Sequence, residues 1–228
     1  MNVELIVDST VDVPERVRSR LTVVPLTIHF GQEEFLDGVT MDRHRFYERL
    51  VESDVLPTTS QATPDAFIKE FEKVRQAEEA AVVITLASKF SGTYQSAMIA
   101  AADYENTYIV DGTSAAMGTG ILVELAFRLL DAGMTAEETA QVLEEEKKKI
   151  VVVALVDTLE YLKRGGRISS ATAVLGTMLS IKPVMHVDDE GRLIPVSKAR
   201  GRKASLTALV DRMEATAIDP AGQTVFIS

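Results

Sequence analysis

The run Ala81-Val82-Val83-Ile84-Thr85-Leu86 constrains the fold more than any other stretch of the chain. It is too short for a buried helix and too uniformly apolar for a strand with one wet face, so it predicts a strand covered on both sides. Residues 3–7, ending in Asp8, have the same character, and Tyr108-Ile109-Val110 is a shorter version. Helical segments separate these runs. Pro14 opens one, and residues 42–52 form another after the turn-like Asp37-Gly38. Pro64 stands at a first helical position ahead of the stripe Phe67, Phe71 and Val74, and a further helix covers about 92–102. A β-branched stretch at 22–28 and a polar loop at 53–63 lie between. The apolar segment 114–130 carries Glu124 and Arg128 one turn apart and falls short of the roughly 20 residues a membrane span needs, so it reads as a buried helix. Thr135 and Glu138 have capping-box spacing at the head of an acidic-then-basic helix, and a strand over 150–156 closes this half. Alternation of this kind predicts an α/β domain over residues 1–155, a mostly parallel sheet with helices on both faces, with a β/helix excursion at about 22–56.

The remainder has another texture. Short helices at 158–163 and 169–179 flank Gly165-Gly166, and residues 182–187 and 192–196 form a hairpin over Asp188-Asp189-Glu190-Gly191. A helix over 202–217 and a strand over 224–227 follow. Residues 156–228 therefore read as a smaller α+β domain. It is expected to be truncated at its C-terminus, since an apolar strand runs straight into the last residue.

Composition removes whole classes of function. The 228 residues are 46% apolar with a net charge of −10, which excludes a disordered polymer and disfavours nucleic acid and anionic lipid surfaces as partners. No cysteine is present, so thiolate metal sites, iron–sulfur clusters and cysteine nucleophiles are excluded, and a reducing cytoplasm is compatible. The start Met1-Asn2-Val3-Glu4 has no basic leader, which predicts an unexported, cytoplasmic protein without stable membrane insertion. His29, His44 and His186 lack metal-ligand spacing, and no P-loop or dinucleotide fingerprint occurs, so neither metal nor cofactor is expected.

In open parallel sheets ligands bind beyond the carboxyl ends of strands, where helices begin. That rule selects Ser91-Gly92-Thr93, after the strand ending at Leu86, and Asp8-Ser9-Thr10 after the first strand. It also draws attention to the hydroxyl-rich Thr58-Thr59-Ser60-Gln61. Each has two readings, a helix cap or polar loop, or a set of neutral donors for an anion. No Gly-x-Ser-x-Gly elbow surrounds Ser91, so a hydrolase or phosphotransferase using Ser91 or Asp8 on a small anionic substrate is the weaker alternative. Gly165-Gly166 allows a backbone conformation that would project Arg167 toward a carboxylate or phosphate, or simply ends a helix. Residues 163–203 hold nine Lys/Arg against three acidic residues, and Arg200, Arg202 and Lys203 could form a partner surface or an ordinary solvated face.

Taken in order, Val7-Asp8-Ser9-Thr10, Pro25-Leu26-Thr27, Asp37-Gly38, Pro57-Thr58-Thr59-Ser60-Gln61, Phe90-Ser91-Gly92-Thr93-Tyr94-Gln95-Ser96, Leu159-Glu160-Tyr161-Leu162-Lys163-Arg164-Gly165-Gly166-Arg167 and Lys182-Pro183 resemble the DegV family of bacterial fatty-acid-binding proteins over essentially the whole chain. The resemblance implies a two-domain α/β carrier that buries one long-chain fatty acid between its domains. It implies that Thr59 and Ser91 hold the carboxylate, with Arg167 at the same end; Ser60, Gln61, Gly92, Thr93, Asp8 and Ser9, from the loops picked out above, are the candidates for a supporting shell. It further implies a non-enzymatic role, presenting the bound acid to a fatty acid kinase that makes the acyl phosphate. Family members run on for about 50 further residues, with a carboxylate-binding histidine near a Gly-Pro-Gly segment.

Overall fold

In the computed structural model, which describes residues 2–168 and 181–227, the chain forms two compact units, Met1–Lys149 and Ile150–Ser228. The first is built on a four-stranded parallel sheet of β1 (Val3–Asp8), β2 (Thr22–Val24), β6 (Ala80–Thr85) and β7 (Thr107–Asp111), in the order β2-β1-β6-β7. Leu5 pairs with Val82, Ile6 with Val83 and Val7 with Ile84, so the two most apolar runs of the chain lie side by side at its centre. Every residue of β6 is buried.

Helices cover both faces. On one, α3 (Pro64–Gln76) and α4 (Thr93–Ala100) pack Phe67, Phe71, Val74, Ala97 and Ala100 against Ile6, Val24, Ala81 and Val83. Contacts with α5 (Met117–Asp131) and α6 (Ala136–Glu146) hold the opposite face of β1, β6 and β7. Both faces of the parallel sheet are therefore dry, as continuous rather than alternating strand sequences require. Thr63 caps α3 by accepting the Ala66 N–H, Pro64 occupies its first turn, and Thr135 and Glu138 complete the expected capping box on α6.

Between β2 and α3 lies a separate antiparallel sheet of β3 (Thr27–Phe30), β4 (Glu33–Leu36) and β5 (Thr58–Ser60), in the order β4-β3-β5, with α2 (Arg43–Glu52) between β4 and β5 in the chain. Two expectations change here. The single stretch at 22–28 is two strands in two sheets, because Pro25 has no N–H to continue the ladder and the Leu26 N–H bonds to the Ser9 hydroxyl at 3.1 Å. The loop expected at 53–63 contains β5, whose backbone pairs with β3 although all three of its residues are exposed. The short α1 (Glu15–Arg18) follows β1.

The second unit contains β8 (Val153–Leu155), α7 (Glu160–Arg164), the hairpin β9 (Ile181–Val187) and β10 (Leu193–Arg200), and α8 (Arg202–Thr216). Its sheet runs β10-β9-β8, all antiparallel. The strand expected to close the parallel sheet is β8, and it pairs with β9 instead. Residues 224–227 form no strand, and Val225 and Ile227 are exposed, because an apolar run is a strand only where a neighbouring edge takes its hydrogen bonds. The helix expected over 169–179 lies outside the described residues. Mixed α/β architecture with a helix-covered parallel sheet is thus the fold class, followed by a smaller α+β unit.

Candidate functional site

The carboxyl ends of β1, β6 and β7 are fixed by backbone N–H groups of the segment after β6, each accepted by a different neighbour. Leu86 N–H donates to Asp8 Oδ2 at 2.6 Å, Ala87 N–H to the Ser114 carbonyl at 2.6 Å, and Ser88 N–H to Asp111 Oδ1 at 3.1 Å. The other Asp8 oxygen accepts the Thr10 N–H and hydroxyl, at 3.0 and 2.6 Å. Asp8 and Ser9 therefore belong to the scaffold of the crevice, one pinning the β6 loop and the other Leu26. Burial raises the Asp8 pKa above its ordinary value, against the pull of these hydrogen bonds.

That scaffold delivers Ser91-Gly92-Thr93 at the start of α4. The cap position of the helix is Gly92 rather than Ser91, but the Ser91 hydroxyl accepts the Thr93 N–H at 3.2 Å and so satisfies one of the first-turn donors. Ser91 Oγ and Thr93 Oγ1 are 2.9 Å apart, and Thr93 Oγ1 also accepts the Ala62 N–H at 3.3 Å. The direction of the hydroxyl pair follows from burial. Thr93 is fully buried, and if Ser91 donated to it the Thr93 proton would have nowhere to go, at a cost of about 1–3 kcal/mol. Thr93 therefore donates to Ser91, and the half-buried Ser91 hydroxyl keeps its own proton for a group outside the loop.

The structure brings the second hydroxyl loop to the first. Gln61, just beyond β5, donates from Nε2 to the buried Ser96 hydroxyl at 2.8 Å, and Ala62 is the residue that bonds Thr93. Gly92 is required by this junction, since a Cβ there would lie 2.0 Å from Gln61 Oε1. Within β5, Thr59 pairs with Ile28 and Ser60 with Thr27, so the two hydroxyls face opposite sides of the small sheet. Thr59 shares the side of Ile28 and Phe35, and Ser60 the side of His29, whose Nε2 lies 2.7 Å from Ser60 Oγ. His29, which lacks metal-ligand spacing in the sequence, takes part in the small sheet instead.

Arg167 lies in the second unit, at the end of α7. Gly166 has φ +74°, its N–H bonds to the Lys163 carbonyl at 3.0 Å, and the Arg167 N–H bonds to the Leu162 carbonyl at 2.9 Å. This is a Schellman closure, the helix-ending reading of Gly165-Gly166, with the left-handed glycine setting where the chain leaves the helix. The Arg167 guanidinium contacts the Gly165 carbonyl. Arg200, Arg202 and Lys203, all exposed, line a groove of about 650 Å³ where β10 meets α8, together with Asp211. A second groove, of about 440 Å³, is lined by Met98, Tyr108 and Glu144, and neither groove includes Thr59, Ser91 or Arg167. Among the described residues no cluster of His, Asp or Glu could hold a metal ion, and no helix is long and apolar enough to cross a membrane.

A family model described as "Uncharacterised protein, DegV family" matches residues 2–228. A DegV domain-containing protein of Caldanaerobacter subterraneus subsp. tengcongensis is 35% identical over 227 residues, covering 98% of this chain and 80% of the relative. A fatty acid-binding protein of Thermotoga maritima is 32% identical over 221 residues, covering 93% of this chain and 76% of that protein. Among solved structures, the fatty-acid-binding DegV family protein of Thermus thermophilus superposes with a TM-score of 0.84 at 33% identity, covering 94% of this chain and 78% of that one.

Proposed function

The chain belongs to the DegV family, and from that premise we propose that it is a cytoplasmic carrier that binds one long-chain fatty acid and presents it to a separate kinase for acyl phosphate formation. Ser91 and Thr59 hold the carboxylate through their hydroxyls. The observation that carries this reading is the Ser91–Thr93 hydroxyl pair, tied through the Ala62 N–H to the Thr-Ser-Gln segment, which joins the two hydroxyl-bearing loops. The fatty-acid-binding relatives from Thermus and Thermotoga support the choice of ligand.

The chemistry fits a carrier. A hydrogen bond to a charged group contributes about 1.5–3 kcal/mol, enough to orient a carboxylate without trapping it. Burying about 15 methylenes at roughly 0.8 kcal/mol each supplies most of the affinity. A hydrolase reading has less behind it. The described partner of the Ser91 hydroxyl is Thr93, which cannot act as a base, and the Asp8 carboxylate is buried beneath three donors.

Native mass spectrometry of purified protein, before and after solvent extraction, tests the proposal. A retained fatty acid, a rise in melting temperature on adding oleate to extracted protein, and weaker retention in Ser91→Ala with Thr59→Ala are expected. Absence of bound lipid together with no thermal shift would overturn it.

A further inference from the structure

We infer that His29 is a positioning residue for fatty acid binding, locking the register of β5 so that Thr59, and not its neighbour, presents its hydroxyl on the side of Ile28; the inference rests on the carboxylate role proposed for Thr59. β5 is a three-residue edge strand, all of it exposed, and among the described residues it pairs only with β3. Side chains alternate with a period of two, so a slip of one residue would put Ser60 where Thr59 stands and turn Thr59 to the opposite face. All three β5 residues are polar and exposed, so none of them fixes the register by burying an apolar side chain.

The His29 ring supplies what is missing. It stands on the central strand of the three, on the same face as Ser60, Thr27 and Thr58. Its Nδ1 lies 3.5 Å from Oε1 of Glu34, its directly paired residue on β4, and its Nε2 lies 2.7 Å from Ser60 Oγ. A carboxylate beside Nδ1 favours hydrogen on that nitrogen, which leaves Nε2 as the acceptor of the Ser60 hydroxyl proton. The ring thus ties both outer strands to the middle one. Ser60 binds no ligand in this account; its hydroxyl is the latch, and Thr59 is what the latch aims. Gln61, the next residue, then reaches Ser96, so the same register also joins β5 to the start of α4.

The experiment is titration of the full chain with cis-parinaric acid, alongside melting curves for every variant. His29→Ala and Ser60→Ala are each expected to weaken binding about fivefold, and the double variant to be no weaker than either single one, because both remove the same bond. His29→Gln keeps an acceptor at similar reach and is expected to restore affinity to within about twofold of wild type. A role in bulk stability alone would show no such rescue. Wild-type affinity in folded Ser60→Ala, or additive losses in the double variant, would overturn the inference even if His29→Ala fails to fold. Thr59→Val separates the two proposals: if it binds normally, the carboxylate role of Thr59 fails, whereas weak Thr59→Val with normal Ser60→Ala defeats only the positioning role.

Discussion

Gly92 and Asp8 show how much of the crevice depends on single atoms. At Gly92 the backbone is compatible with any residue, φ −72°, and the atom an added Cβ would meet is the end of the exposed Gln61 side chain. Gly92→Ala is therefore expected to change the melting temperature little, since Gln61 can swing aside, while breaking the bond to Ser96 and weakening fatty acid binding severalfold. Thermal shift and cis-parinaric acid titration on the same preparation check both halves. Asp8 behaves differently. Burial holds its pKa above the ordinary value of 3.8, so across the interval between that value and its folded pKa the native state binds more protons than the unfolded one. Asp8 thus lowers stability as pH rises through that interval, with no further change above it. Exposed carboxylates held low by a cation, Glu33 by Arg49 and Asp157 by Lys182, act with the opposite sign and lose their contribution as pH falls. Asp8→Asn replaces an acceptor of three donors with a group that can satisfy fewer, at a cost of about 1–3 kcal/mol. Urea unfolding of both proteins across the acidic range should show that penalty growing as pH falls, because protonation relieves Asp8 in the wild type and Asn has nothing to titrate.

At the scale of elements, legibility in the sequence followed how much of each signal was local. β1, β6, α3 and α6 announce themselves, since an unbroken apolar run, a phenylalanine stripe or a capping box needs no distant partner to be read. Phe71 is the test of that core: it is fully buried, edge-on to Tyr104 at 5.5 Å and tilted against Phe67 at 5.9 Å. Phe71→Ala should cost about 3–5 kcal/mol by chemical denaturation, with an unchanged slope if the unfolded surface stays the same. β5 escaped notice because its residues are hydroxyls with a wet face, and only the edge of β3 makes them a strand. The apolar run at 224–227 shows the converse, a strand-like composition that pairs with no strand among the described residues. The candidate site divides the same way. Ser91-Gly92-Thr93 and the Thr-Ser-Gln segment were visible as hydroxyl clusters at loop positions, whereas their junction through Gln61 and Ser96, and the His29 latch, depend on backbone pairing that spacing alone does not report.

At the scale of the molecule, charge separates along the chain. Residues 1–149 hold 14 Lys/Arg against 26 Asp/Glu, and residues 150–228 hold 10 against 8, so the acidic character belongs to the first unit. The second unit then concentrates cations at Arg200, Arg202 and Lys203, beside the start of α8. Arg202 lies 4.0 Å from Asp157, which is also bonded to Lys182, so this patch is partly compensated rather than bare. Exposed charges of this kind contribute little to stability but guide association, an effect that fades as ionic strength rises. If the kinase docks on this face, Arg200→Glu with Arg202→Glu should slow acyl phosphate formation at low salt far more than at high salt. Stability and cis-parinaric acid affinity should stay near wild type, because both residues are exposed and neither is part of the hydroxyl loops. Initial rates with ATP, oleate and the kinase, measured over a range of salt, make the distinction. Equal loss at every ionic strength would assign these arginines to a contact with a defined geometry, and no loss at all would overturn a docking role for this face.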